Sequence, residues 1–257
     1  MSVRNERILG VIPARLGSER LPRKPLHPLA GRPLLEWVWR RVSSFSLLDH
    51  VVIATDAAEI AAAAAAWGAA AELTAETHES GTARIGELVA RPEYSQYDIV
   101  VNVQGDEPFV GEDQVAAAVA QVRLGFDIGT VAAPVQTLAA WLDPGVVKVA
   151  RRVDGCALYF SRSPIPHVRG REPTERELGA GSFLRHIGLY AYRPAVLQQW
   201  LTLPVTLLEE LEKLEQLRAL AAGLTIGVGL VAAAEGGVDT LADAERAEQR
   251  LSAETNS

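Results

Sequence analysis

Apolar and polar residues follow two different periods along the first 130 positions of the chain. Continuous apolar runs at 8–12, 51–54 and 99–103 are typical of strands buried on both faces, and a weaker run lies at 70–73. Between these runs, helical spacing of apolar residues predicts helices at 33–42, 58–67 and 83–90, and Thr55 and Asp56 are placed to cap the second helix. This alternation predicts an α/β fold with a mostly parallel, doubly wound sheet.

The pattern changes after about residue 130. Strand-like runs lie at 131–135, 146–152, 157–161, 188–192 and 225–231, and residues 164–181 have little periodicity, which predicts a loop or mobile flap. Helices are predicted at 207–222 and 242–251. Because no linker divides the chain, we expect one mixed-sheet domain over 1–257, with a smaller insertion at about 130–195.

Charge and cysteine content narrow the classes of function. The chain has 25 Lys and Arg against 32 Asp and Glu, a net charge of −7, which argues against a protein held on nucleic acid or an anionic membrane by bulk charge. Cys156 is the single cysteine, so an intrachain disulfide and a multi-cysteine zinc site are excluded. No signal-peptide pattern and no membrane-length apolar run is visible, so we expect a cytoplasmic protein.

Candidate chemistry follows the predicted strands, because ligands bind at the carboxyl ends of such sheets. The loop at 13–26 carries Arg15, Arg20 and Lys24, which suit phosphate oxygens, although it lacks the P-loop spacing. The turn at 102–108 contains Asp106, a carboxylate that suits Mg²⁺, or alternatively a capping residue of an ordinary turn. Asp239 follows the last strand and would serve either as the N-cap of the terminal helix or as a second metal ligand.

Several blocks in one order resemble a known family, the 3-deoxy-manno-octulosonate cytidylyltransferases (CMP-KDO synthetases), from about residue 8 to 250. These blocks are residues 13–26, 77–82, 101–108, 157–162, 183–190, 214–218 and 237–240. The resemblance implies a Rossmann-like nucleotidyltransferase fold, a homodimer, CTP and Mg²⁺. It also implies transfer of CMP from CTP to KDO with release of pyrophosphate, for lipopolysaccharide biosynthesis. The insertion at 130–195 would then serve sugar binding and dimerisation.

The resemblance also implies roles for individual residues. The catalytic set would be Arg15, Lys24, Asp106 and Asp239, with Asp106 and Asp239 as metal ligands. The CTP-binding residues would be Ala14, Arg15, Lys24, Ser80, Gly81, Arg84, Gln104 and Asp106. The sugar-binding residues would be Arg162, Arg169, His186, Tyr190, Glu215 and Gln216.

Each of these roles has a structural alternative. His186 and Tyr190 would otherwise be packing residues of a strand, and Arg84 would otherwise pair with Glu87 on a helix surface. The chain also departs from the family pattern. Arg23 stands where relatives usually carry glycine, and residues 167–168 differ from the aromatic and acidic residues often found there.

Other functions remain open alongside this one. The nearest is a cytidylyltransferase for another acid, such as an amino-substituted octulosonate, a sialic-type sugar or a phosphonate. A non-catalytic nucleotide-binding protein on the same scaffold would not need both Asp106 and Asp239. A dinucleotide oxidoreductase is disfavoured, because the loop after the first strand lacks G-x-G-x-x-G.

Overall fold

A computed structural model of the protein describes residues 6–18 and 20–255. The chain forms two compact units. The first runs to Glu112 and resumes at Glu235, and the second comprises Asp113–Ala234. The single domain with an insertion at 130–195 stays a prediction.

The first unit is built on four parallel strands. Its strands up to Glu112 are β1 (Ile8–Ala14), β2 (Pro28–Leu29), β3 (Arg32–Pro33), β4 (His50–Thr55), β5 (Ala70–Leu73) and β6 (Ile99–Asn102). Its helices in this part are α1 (Leu34–Ser43), α2 (Ala58–Trp67) and α3 (Gly81–Val89), with 3₁₀ turns at Lys24–Leu26 and Pro92–Tyr94. The strand order is β6-β1-β4-β5, and every neighbouring pair is parallel. Helices connect the strands, as parallel pairing requires.

The central strands are apolar because both of their faces are covered. Val11 on β1, Ile53 on β4 and Val101 on β6 have no solvent exposure, and the residues directly before and after each of them are buried as well. The α/β class with a mostly parallel sheet, predicted from the sequence, is confirmed.

The predicted cap of α2 is wrong. Its N-cap residue is Ala57, which makes no side-chain cap, and the Thr55 hydroxyl accepts a hydrogen bond from Ala57 N at 3.2 Å instead. The Asp56 carboxylate is drawn away to the guanidinium of Arg84, 2.6 Å distant.

The second unit contains a mixed sheet. Its strands are β7 (Ile128–Pro134), β8 (Lys148–Arg151), β9 (Ala157–Ser161), β10 (Leu184–Tyr192) and β11 (Ile226–Leu230). Its helices are α4 (Glu112–Arg123, starting at the last residue of the first unit), α5 (Leu138–Leu142), α6 (Glu175–Glu177), α7 (Pro194–Thr202), α8 (Leu207–Glu212) and α9 (Gln216–Ala221). The order is β11-β7-β10-β8-β9, in which β11 and β7 are parallel and the other pairs antiparallel.

Two sequence predictions in this unit need correction. The helix predicted at 207–222 is two helices, because Lys213 adopts a left-handed backbone (φ 53) between α8 and α9. The segment 164–181 is not a plain loop: Thr174 and Glu177 form a capping box at α6, and a π turn follows at Leu178–Ser182. Leu178 is fully buried against Trp141 and anchors this segment.

The chain ends with helix α10 (Leu241–Thr255), close to its predicted span. Thr240 caps it, because the Thr240 hydroxyl accepts from Asp243 N at 3.2 Å while the Asp243 carboxylate accepts from Thr240 N at 2.8 Å. Within the described residues, no helix has the length and apolar character needed to cross a membrane.

Candidate active site

Pro13, near the carboxyl end of β1, is the point where three segments of the first unit meet. A Cβ on Gly105 would lie 2.9 Å from the Pro13 carbonyl oxygen, and a Cβ on Gly81 would lie 3.0 Å from Pro13 Cγ. Glycine at both positions therefore lets the turn after β6 and the start of α3 approach the loop after β1. The segment before α10 joins the same turn, since Val238 N donates to the Asp106 carbonyl at 2.8 Å. The loop at 13–26 and the turn at 102–108, both of which follow predicted strands, therefore lie together, and Gly81 and Val238 join them.

The ammonium of Lys24 lies between the two predicted metal ligands. Lys24 Nζ is 2.5 Å from Asp106 Oδ2 and 2.9 Å from Asp239 Oδ1. Burial alone would lower the pKa of Lys24, but the charges and hydrogen bonds of Asp106 and Asp239 outweigh it and raise the pKa above 10.5. Lys24 is therefore a cation held between two carboxylates. Arg20 adds a more exposed contact, 3.1 Å from Asp239 Oδ2.

The Asp239 side chain is available to this cluster because Thr240, one residue later, caps α10. The N-cap alternative for Asp239 is therefore wrong. Asp239 uses only its backbone N–H at the helix start, donating to Asp243 Oδ2 at 3.1 Å.

The donor set around Lys24 Nζ fits Mg²⁺. Two carboxylate oxygens surround one cation position, and Mg²⁺ takes one or two protein carboxylates with phosphate oxygens and water. Across 6–18 and 20–255, no group of three or more His, Cys, Asp or Glu side chains could hold a metal ion. An all-protein cage is thus not formed by the described residues, whereas a site shared with phosphate oxygens remains compatible with the pair.

The other predicted nucleotide-side residues border the same loops. Ala14 ends β1 and is buried, while Arg15 is exposed and makes no hydrogen bond or ion pair with any residue that the structure describes. Ser80 is the N-cap of α3, its hydroxyl accepting from Ala83 N at 3.2 Å, and Gly81 is the first helical residue. Gln104 is half-buried in the turn after β6, where its carbonyl accepts from Glu107 N at 3.3 Å.

Arg84 is a buried residue and not a surface partner of Glu87. Its guanidinium donates to Asp56 Oδ2 at 2.6 Å and to the Thr74 hydroxyl. The Glu87 carboxylate instead accepts from Ala75 N at 2.8 Å and contacts His78 Nε2 at 2.6 Å. Burial would raise the pKa of Glu87, but hydrogen bonds from Ala75, Arg91 and His78 lower it to about 2. Glu87 thereby holds the segment that leads to Ser80.

In the second unit, a bulge in β10 brings His186 and Tyr190 together. The pairing of β10 with β7 skips Gly188 and Leu189, so that Ile187 faces Val131 while Tyr190 faces Thr130. Four residues of regular strand would separate two side chains by about 13 Å. Here the ring centroids of His186 and Tyr190 are 5.5 Å apart, and the Phe160 ring is 4.9 Å from that of His186. Bulges re-aim side chains in this way.

Charge and hydrogen bonding distinguish this cluster from ordinary core. His186 is half-buried beside the rings of Phe160 and Tyr190, and burial lowers its pKa to about 3. Burial and the negative charge of Glu215 raise the pKa of Tyr190 well above 10. Glu215 is the N-cap residue of α9, and Gln216 begins this helix with its Nε2 buried and without a hydrogen-bond partner. Four of the six predicted sugar residues therefore lie on β10 and at the start of α9.

The two predicted arginines behave differently from each other. The Arg162 guanidinium donates to the carbonyl oxygens of Glu212 (2.6 Å), Pro144 (3.0 Å) and Lys213 (3.4 Å), so it holds the break between α8 and α9. Arg169 is exposed and makes no hydrogen bond or ion pair with the described part of the chain.

Sequence reasoning missed two residues that build the second unit's site. Lys148 is fully buried, and its ammonium donates to the carbonyl oxygens of Asp143, Val146 and Arg162 at 2.6–2.8 Å. Thr130 is also fully buried, and its hydroxyl lies 2.8 Å from His186 Nε2. A lysine inside a strand pattern was a usable signal, whereas a threonine in a strand is unremarkable in sequence.

The chain is similar to known cytidylyltransferases in sequence and in fold. The profile of the family described as cytidylyltransferase matches residues 9–226. A 3-deoxy-manno-octulosonate cytidylyltransferase of Gemmatimonas aurantiaca is 48% identical over 241 residues, covering 93% of this chain and 92% of the relative. One from Syntrophobacter fumaroxidans is 44% identical over 241 residues, covering 93% and 94%. A solved structure of a CMP:2-keto-3-deoxy-manno-octonic acid synthetase complexed with CTP has a TM-score of 0.88 and 37% identity, covering 97% of this chain and all of that chain.

Proposed function

This chain belongs to the cytidylyltransferase family, within its 3-deoxy-manno-octulosonate branch, and we propose that it transfers CMP from CTP to 3-deoxy-D-manno-octulosonate (KDO) and releases pyrophosphate. It is an enzyme of the nucleotidyltransferase class. The anomeric hydroxyl of the sugar attacks the α-phosphorus of CTP, and the bond to the pyrophosphate oxygen breaks. The hydroxyl proton leaves to solvent. The product would serve lipopolysaccharide biosynthesis.

The observation that carries the proposal is the cation position shared by Asp106 and Asp239. Phosphoryl transfer needs in-line positioning and neutralised charge more than covalent catalysis. The residues around this position supply both signs of charge: two carboxylates for a cation, and Lys24, Arg20 and Arg15 for phosphate oxygens. A non-catalytic nucleotide-binding protein would not require two carboxylates from distant segments to meet.

Mg²⁺ is the cofactor that we propose for this position, held by Asp106 and Asp239 together with phosphate oxygens. When bound, it would polarise the α-phosphoryl group and stabilise negative charge on the phosphates. Lys24 would then leave the carboxylates for the phosphates, where its ammonium, with Arg15, neutralises the charge that develops on pyrophosphate. A lysine ammonium is charged throughout the neutral pH range, so Lys24 keeps its charge when it leaves the carboxylates.

The base would be read at the start of α3. Ser80 and Gly81 present backbone groups there, and Gln104 lies in the neighbouring turn that packs on Pro13. Paired hydrogen bonds to a base edge discriminate strongly between bases, since the wrong base leaves buried polar groups without hydrogen-bond partners. Arg84, committed to Asp56 and Thr74, would support this site from behind, and Ala14 would leave room for the triphosphate.

The acid sugar would bind in the second unit. Among the described residues, the Arg162 guanidinium donates to three neutral carbonyl oxygens, while the Arg162 backbone N–H donates to Glu212 Oε2 at 2.8 Å. A sugar carboxylate would therefore be the first anionic hydrogen-bond partner of the guanidinium. His186, Tyr190, Glu215 and Gln216 provide the mixture of donors and acceptors that sugar hydroxyls need. Arg169, exposed in the segment before α6, would contribute from solvent.

Assembly and location complete the proposal. Five exposed apolar side chains of the second unit favour a homodimer: Leu158, Val205, Leu207, Leu208 and Leu211. Leu158 lies on β9, whose only described strand partner is β8, and Ser161 at the end of β9 donates to Glu212 of α8 at 2.6 Å. We expect the reaction in the cytoplasm, where CTP is made. Light scattering of the purified protein would test the dimer.

The decisive experiment measures pyrophosphate release from CTP with KDO, an amino-substituted octulosonate, a sialic-type sugar and a phosphonate. We expect KDO to give the highest kcat/KM. Asp106→Asn keeps the shape of the side chain but removes its charge, and turnover should fall by about 10²–10³-fold. Glu107→Gln, one residue later in the same turn, is the matched control. An Asp106→Asn enzyme that keeps most of its activity at saturating Mg²⁺ would refute the proposed site.

A further inference from the structure

The hydroxyl of Thr130 contacts three groups at the bulge of β10. Thr130 Oγ1 is 2.8 Å from the Leu189 carbonyl oxygen, 3.3 Å from the Ile187 carbonyl oxygen and 2.8 Å from His186 Nε2. These carbonyls lie where the register of β10 against β7 shifts, between Ile187 and Tyr190. Thr130 itself has no solvent exposure, so water cannot replace any of these bonds.

A threonine hydroxyl has one proton and can donate only once. Carbonyl oxygens accept and never donate, so two oxygens at 2.8 Å require the Thr130 proton between them. The same hydroxyl can then meet His186 Nε2 only as an acceptor. Hence His186 Nε2 carries a hydrogen and donates it to Thr130 Oγ1.

The imidazole is neutral at ordinary pH. Burial beside the rings of Phe160 and Tyr190 lowers the pKa of His186 to about 3. With Nε2 protonated, a neutral ring carries its lone pair on Nδ1. This nitrogen has no hydrogen-bond partner among the described residues.

We propose that Thr130 is a positioning residue for the sugar site: its hydroxyl fixes His186 in the Nε2–H tautomer, so that Nδ1 accepts a hydrogen bond from a hydroxyl of the acid sugar. The inference rests on the proposed function, because it assigns His186 to the sugar. It deepens that function by giving the direction of a hydrogen bond.

A residue at the start of α9 has the opposite polarity, and Glu215 beside it in the chain is close enough to Tyr190 to raise, together with burial, the pKa of the Tyr190 hydroxyl. Gln216 is buried, and its Nε2 is a donor without a partner. A hydroxyl can donate to one group and accept from another, so an acceptor on His186 and a donor on Gln216 are complementary to sugar hydroxyls. In the other tautomer His186 would present a donor, and both groups would compete for hydroxyl lone pairs.

The test replaces Thr130 with valine, which keeps the branched shape but loses the hydroxyl, and with serine, which keeps the hydroxyl. Two-bond ¹H–¹⁵N correlation spectra of the histidine-labelled protein report the tautomer directly. The chain has 5 histidines, and the His186 signal is assigned by its loss in His186→Asn. Kinetics with KDO and CTP varied separately provide the second readout.

We expect the Nε2–H pattern in the wild-type protein and in Thr130→Ser. In Thr130→Val the Nδ1–H form should become populated, and kcat/KM for KDO should fall about 3- to 10-fold while KM for CTP stays unchanged. A wild-type spectrum with hydrogen on Nδ1 would overturn the proposal, even if Thr130→Val failed to fold. So would a Thr130→Val enzyme in which KDO and CTP kinetics suffer equally. Absence of turnover with KDO in the wild type would refute the proposed function instead, while the spectrum still decides the tautomer.

Discussion

Replacing Lys24 with methionine should destabilise the protein measurably, because two carboxylates would then face each other without a cation. The contact with Asp106, at 2.5 Å, is charge-assisted, and such hydrogen bonds contribute about 1.5–3 kcal/mol. Asp239 is 43% exposed, so solvent screens much of its share, and we count only the Asp106 contact. A loss of about 2 kcal/mol should lower the Tm by about 4–8 °C in a chain of this size.

Mg²⁺ should recover this loss. A ligand that binds only the folded state at about 100 times its Kd adds about 2.7 kcal/mol. In the wild type, part of this gain is offset because Lys24 must first leave the carboxylates. Scanning calorimetry with chelator and with millimolar Mg²⁺ should therefore show a larger Mg²⁺-induced rise in Tm for Lys24→Met than for the wild type.

Arg23→Met is the matched control. It removes the same charge from the neighbouring position, where Arg23 pairs with Glu59 on the surface, a pair worth little. Its Tm and its response to Mg²⁺ should follow the wild type. The reasoning fails if both variants lose the same Tm, or if Mg²⁺ raises the Tm of Lys24→Met no more than that of the wild type.

Three further predictions test other parts of the molecule. Arg23 has a left-handed backbone (φ 55), a conformation that glycine adopts without strain, so Arg23→Gly should stabilise the protein by up to about 1 kcal/mol in thermal scans, and a lower Tm would exclude strain there. The pKa of His186 is about 3 when folded and 6.5 when unfolded, so the unfolded chain binds the proton first and stability falls as pH drops below 6.5. Between pH 6.5 and pH 5, the free energy of unfolding measured in urea should fall by about 1.6 kcal/mol more for the wild type than for His186→Asn, because the unfolded histidine is already half-protonated at pH 6.5. Equal losses would contradict this. Glu87→Gln should raise KM for CTP several-fold, because it loosens residues 75–78, and should leave KM for KDO unchanged. In the control Glu93→Gln, both KM values should stay unchanged. A matching rise in KM for KDO in Glu87→Gln would count against this prediction.

Local pattern was sufficient for the parallel strands and their helices. α2 and β5 begin and end where the sequence predicts: the alanine-rich run of α2 has high helix propensity and ends at Gly68, which has a left-handed backbone, whereas no residue of β5 is buried. Helix α4, at 112–123, is missing from the predicted elements, although Val115, Ala118 and Val122 have helical spacing there and are buried. That omission was avoidable, since the signal is local.

The break between α8 and α9 was not predictable from local pattern. The helical period continues across Lys213, which has no special preference for a left-handed backbone. Arg162, about 50 residues earlier in the chain, stabilises the break, because its guanidinium donates hydrogen bonds to the carbonyl oxygens of Glu212 and Lys213. A contact at that separation leaves no periodic trace in the sequence.

The candidate site of the first unit also has one part that was predictable from local pattern and one part that was not. The sequence shows that Asp106 and Asp239 follow strand ends, and from this we predict that they meet. The sequence does not show that Lys24 lies between them, since its two contacts join residues 82 and 215 positions apart. Physically, the lysine is needed there because two carboxylates this close repel each other unless a cation separates them.

In the second unit, residue type does not separate the proposed sugar residues from the core, and an unsatisfied donor is only one mark of them, since among the described residues the core residue Trp200 also buries an Nε1 without a partner. Ser161 and Thr130 are buried polar residues with every hydroxyl function paired, as folding requires. Gln216 is equally buried, yet its Nε2 has no partner, at a cost of about 1–3 kcal/mol. A folded chain tolerates such a cost where a ligand completes the bond. The sequence contains the glutamine, but the burial of its Nε2 without a partner follows only from the packing of α9.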